Sequence, residues 1–151
     1  MGLRRICLTI LVAATQALAH GVVAQDEPQY KTYLTRQVID NEPAMEADSI
    51  FDCTDRIYVV LEALRLPQKN TQLMVRWFNP TGEQQERTVF DFNAQPFTRV
   101  WAWLQLNGPP GAVIGQVFDP SFGMEDFIGD WEAKVFLDKK PVETIGFQVI
   151  C

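Results

Sequence analysis

Apolar residues fall at every second position in several runs of this chain, and that period predicts β-strands. In Arg56–Leu64, Ile57, Val59, Leu61 and Ala63 share one side, and Tyr58, Val60, Glu62 and Leu64 share the other. Leu73, Val75 and Trp77 alternate with Met74, Arg76 and Phe78; the turn Asn79-Pro-Thr-Gly82 follows, then Gln84–Phe92, so Leu73–Phe92 reads as a hairpin. In Pro96–Leu106, Val100, Ala102, Leu104 and Leu106 oppose Arg99, Trp101, Trp103 and Gln105. Trp131, Ala133, Val135 and Leu137 alternate with Glu132, Lys134, Phe136 and Asp138; Asp138–Pro141 turns the chain, and Thr144–Ile150 closes it. Weaker signals place an edge strand within Tyr30–Asp40, a loop over Asn41–Asp48, a short strand at Val113–Phe118 and a long loop over Asp119–Gly129.

After residue 24 no stretch keeps a helical apolar period. Short strands separated by turns predict an all-β fold, an antiparallel β-sandwich of seven or eight strands, with a small antiparallel barrel as the alternative shape. The expected core is Ile57, Val59, Leu61, Leu73, Val75, Trp77, Val100, Ala102, Leu104, Trp131, Ala133, Val135, Phe147 and Val149.

The first residues read as an address. Two arginines at Arg4 and Arg5, the apolar run Ile6–Ala19, and small-residue exits after Ala19 or Ala24 make a secretory signal peptide over residues 1–24. The apolar run is short for a membrane span. The expectation is therefore a periplasmic or secreted protein with no stable membrane insertion once the leader is cut. Residues 25–47 form a lead-in with an edge strand, and residues 48–151 one domain. Removing the leader takes two basic residues and no acid, moving the formal charge from −6 to −8. Phosphate contacts need a basic face, so the expectation is that nucleic acid is not a partner.

Three cysteines are present, and Cys7 leaves with the leader. The remaining pair in an exported chain predicts a Cys53–Cys151 disulfide. The single histidine, His20, removes histidine-dependent nucleophile activation. Cleavage after Ala19 would leave His20 first, the start of a copper chelate, but a second ligand of its kind is missing. Asp119, Glu125, Asp126, Asp130 and Glu132 gather near one loop without calcium-loop spacing, and read equally as the wet side of a strand. No phosphate-cradling glycine loop stands out. The expectation is a non-enzyme with no metal and no cofactor.

Cys53 early in the second strand, Trp77 on the next, and the closing pattern Gly129-Asp-Trp131-Glu-Ala-Lys-Val135 with Phe147-Gln-Val149 resemble bacterial immunoglobulin-like domains of exported proteins. The resemblance spans Asp48–Cys151. It implies an immunoglobulin-like sandwich that binds or spaces and carries no catalytic residue. Its usual disulfide does not transfer, because Cys151 is the last residue.

Trp101 and Trp103 share one strand side, and Met74, Phe78 and Phe136 fall on the assigned outer faces. Left bare, these five make an apolar patch, and the expected function is a binding or assembly module of the periplasm or cell envelope that holds a protein partner through this face or a strand edge. A carbohydrate-binding module with Trp101 and Trp103 as stacking platform is the second reading. Two plainer readings stand beside them: Trp101 and Trp103 are core, or Arg76, Arg87 and Arg99 cover the rings.

Overall fold

The structure, a computed structural model, describes residues 27–106 and 127–150. The leader, Cys7, His20, the strand expected at Val113–Phe118, most of the following loop and Cys151 lie outside them. The described chain is all-β, without helix: β1 (Gln29–Thr35), β2 (Val38–Ile39), β3 (Glu42–Pro43), β4 (Ile50–Asp52), β5 (Arg56–Leu64), β6 (Asn70–Phe78), β7 (Gln84–Asn93), β8 (Phe97–Gln105), β9 (Gly129–Leu137) and β10 (Lys140–Ile150).

The strands form a three-stranded sheet in the order β1-β5-β8, a five-stranded sheet in the order β4-β10-β9-β6-β7, and the small hairpin β2–β3. One contact departs from the expected antiparallel pattern. The short β4 lies parallel to β10, with Ile50, Phe51 and Asp52 beside Gln148, Val149 and Ile150. Three residues show too little alternation to announce a strand, and Phe51, fully buried, is what pins this one. Cys53 consequently sits just past β4 rather than within the following strand β5, a correction to its expected place. The expected loop Asn41–Asp48 contains β3, because Asp40 and Asn41 accept left-handed backbone (φ 51° and 67°) and close a two-residue turn.

Turn chemistry fixes the hairpin registers. Asn79 Oδ1 accepts from Glu83 N and Thr81 Oγ1, each at 2.8 Å, and Gly82 takes φ 82° between β6 and β7. Asp138 and Lys139, at φ 47° and 68°, join β9 to β10 so that Leu137 faces Lys140.

The two larger sheets turn their apolar sides toward one cluster. All expected core residues lie in it, with Val100 only half-buried at its margin. Its centre is aromatic: the Phe147 ring stacks on Trp131 at 6.1 Å and meets the edges of Phe51 and Trp77 at 5.6 and 6.2 Å. Trp131 Nε1 donates to Phe127 O at 2.8 Å, whereas the buried Trp77 Nε1 has no partner among the described residues.

Candidate functional site

The aromatic set expected to form one face is divided between two. Trp101 and Trp103 belong to β8 in the three-stranded sheet, while Met74, Phe78 and Phe136 lie on β6 and β9 in the five-stranded sheet. The division follows from pairing: β8 registers with β5, and β6 with β9. Alternation reveals which side of its own strand a residue takes, but not which sheet the strand joins.

Cations cap these rings. The Arg56 guanidinium lies 4.6 Å from the Trp103 ring centre and that of Arg99 5.9 Å from Trp101; Arg76 stands 5.5 Å from Phe136, and Lys134 Nζ 4.4 Å from Phe78. Met74 is buried at 7% exposure, in register with Val89 and Phe136. Trp103 alone of the five is widely exposed, at 47%.

Arg99 also holds the β2–β3 hairpin. Its side chain keeps 12% exposure, its Nη2 donates to Tyr33 Oη at 3.1 Å and to Pro43 O, and it pairs with Glu42 at 3.2 Å and Glu62 at 3.4 Å. Bonding to Tyr33, and then the charges of Glu62 and Glu42, raise its pKa above the ordinary guanidinium value. The sequence placed Arg99 on the outer side of its strand but could not show the hairpin it anchors.

A different region has the shape of a ligand site. At the end of the body where β1 begins and β9 turns into β10, a cleft of about 350 Å³ opens. Buried Leu66 and Leu137 line its inner part; Tyr30, Pro67 and Pro141 stand around it. Its charge is organised from two turns. Lys69 Nζ lies 2.5 Å from Asp138 Oδ2, Gln72 N donates to Asp138 Oδ1 at 3.0 Å, and Asp138 N donates back to Gln72 O at 2.9 Å. The bond from Lys69 and the Gln72 amide hold the Asp138 carboxyl below the usual carboxylate range. Lys140 joins the rim. Lys69 spends one of its three donors on Asp138, so two point elsewhere. Lys69 and Asp138 are 69 positions apart. In the sequence both read as turn residues only, and the lysine-and-proline composition of the two turns was the one available signal.

Asp130 and Glu132 border a shallower groove of about 440 Å³ with Ile50, Gly146 and Gln148. Glu132 pairs with Lys134 at 3.4 Å, as expected for the wet side of β9. No group of metal-ligating side chains and no helix long and apolar enough to cross a membrane occurs among the described residues.

No family model and no curated protein matches the chain. Among solved structures it is similar to the Pseudomonas fluorescens alkylpurine DNA glycosylase AlkC, bound to DNA containing an abasic site analog, at 10% identity and a TM-score of 0.49. The alignment covers 81% of this chain and 30% of that one, so this chain spans under a third of the neighbour's length. Two expectations are corrected. The envelope module that holds a protein partner or a sugar through an aromatic face is not maintained: the five residues are divided between two sheets, and their rings are capped by cations. The exclusion of nucleic acid is withdrawn as well; the solved structure named above holds DNA. At this distance neither glycosylase activity nor DNA binding carries over to the present chain.

Proposed function

We propose that this all-β chain is a receptor for a small amphipathic anion, held in the cleft between the Pro67–Asn70 turn and the β9–β10 turn. The observation that carries the proposal is the fixed Lys69–Asp138–Gln72 arrangement beside an apolar floor. Ligand sites are typically apolar hollows of roughly 300–1,000 Å³ with a few oriented polar groups, and this cleft lies in that range. With Lys140, the local balance is two cations to one carboxylate on a chain that is otherwise acidic. A carboxylate head meets the free donors of Lys69, and an apolar body lies on Leu66 and Leu137. No catalytic role is proposed for any group in the cleft.

The test is amide-resolved NMR with octanoate as probe and octylamine as its opposite-charge control. Shifts centred on Leu66–Thr71 and Leu137–Val142 with octanoate, abolished by Lys69→Met, are expected. Absence of shifts, or equal shifts with octylamine, removes the proposal.

Two framework readings accompany it. The orders β1-β5-β8 and β4-β10-β9-β6-β7 support an immunoglobulin-like sandwich, in which strands of one sheet correspond to A, B and E and those of the other to G, F, C and C′. The bridge Cys53–Cys151 is proposed because the Cys53 amide donates to Ile150 O at 2.9 Å, and Ile150 directly precedes Cys151 in sequence. Peptide mapping under non-reducing conditions checks it.

A further inference from the structure

β7 closes one side of the five-stranded sheet. It pairs with β6, and its other edge carries no strand among the described residues. The strand is ten residues long and contains neither proline nor lysine, the usual devices that blunt an edge. Two features of β7 ask for a partner. Arg87 stands directly opposite Arg76, a like-charge pair within the sheet, and forms no ion pair among the described residues. Phe90 and Phe92, with ring centres 6.2 Å apart, are only half-buried at this open side.

We propose that the β7 edge receives a second copy of this chain, strand against antiparallel strand, about a two-fold axis through Val89. The register is chosen by charge. A symmetric pairing that keeps the sheet faces continuous sets residues of the same face opposite one another, so the axis must pass through a residue. An axis at Arg87 or Asp91 places like charges face to face. At Thr88, Arg87 meets the second copy's Val89; at Phe90, it meets the second copy's Asn93. At Val89, Arg87 meets Asp91 of the second copy, and symmetry repeats that pair. The same register sets Thr88 against the second copy's Phe90, which covers Phe90, and places Glu86 opposite the second copy's Phe92. Among the described residues Asp91 accepts only from Gln72 Nε2, at 3.0 Å, so its carboxylate keeps capacity for Arg87. The other edges fit less well: β1 carries a lysine, Lys31, β4 has three residues, and Arg99 on β8 is already engaged.

Sedimentation equilibrium on the purified protein tests this, with circular dichroism confirming that each variant is folded. The wild type is expected to dimerise. Arg87→Asp and Asp91→Arg should each weaken the dimer about tenfold or more, and the double reversal should restore it. Val89→Lys, which sets two ammonium groups at the axis, should give a folded monomer even if a charge reversal impairs folding. A wild type that stays monomeric at its highest soluble concentration overturns the proposal. So does a dimer indifferent to these changes, or slow hydrogen exchange along the outer β7 edge in a monomer, the mark of cover from within one chain.

Discussion

Trp77 and Trp131 are both fully buried in one aromatic cluster, yet their indole nitrogens are treated differently. Trp131 Nε1 donates to Phe127 O at 2.8 Å, while Trp77 Nε1 meets no acceptor among the described residues. Replacing either by Phe removes two buried carbons and the ring N–H. At about 0.8 kcal/mol per buried carbon, the apolar loss is roughly 1.6 kcal/mol in both cases. At Trp77 this is offset by relief of an unpaired buried donor, worth about 1–3 kcal/mol, so Trp77→Phe should fall between a loss of about 0.6 kcal/mol and a gain of about 1.4 kcal/mol. At Trp131 a hydrogen bond of about 1 kcal/mol is lost in addition, so Trp131→Phe should cost roughly 2.5 kcal/mol. Guanidinium unfolding of both variants, with the m-value unchanged, gives the comparison directly. Equal losses at the two sites would refute the reasoning, because they would show that the orphaned donor carries no penalty.

Asp138→Asn should lower stability at neutral pH and matter progressively less in acid. The native carboxyl is held low, so its contribution is full above the unfolded value of about 3.9 and is lost as pH falls through the native value; urea midpoints at several pH values would show the two curves converging. Arg99→Met should cost about 2 kcal/mol and release the β2–β3 hairpin, seen as faster amide exchange at Val38–Ala44 while β5 and β8 stay protected. Gly129→Ala should cost about 1–3 kcal/mol in thermal or denaturant melts, since φ is 137° there and an added Cβ would lie 3.2 Å from Pro80 Cγ; a neutral result would mean the turn at Pro80 yields freely.

The strands were legible in the chain because burial on one side of an extended backbone forces a period of two. Hence Ile57 through Ala63 and Trp131 through Leu137 could be assigned to their inner faces from residue order alone, and the turns at Asn79 and Asp138 from their chemistry. The strand β4 could not, being too short for a period and held by the burial of Phe51 against distant residues. Nor could the sheet membership that parts Trp101 from Phe136, or the meeting of Lys69 with Asp138. The local code is written by side-chain alternation and turn preference. Which strand lies beside which, and so which charges converge, is settled by how two apolar sheet faces cover one another, and that depends on contacts between positions far apart in the chain.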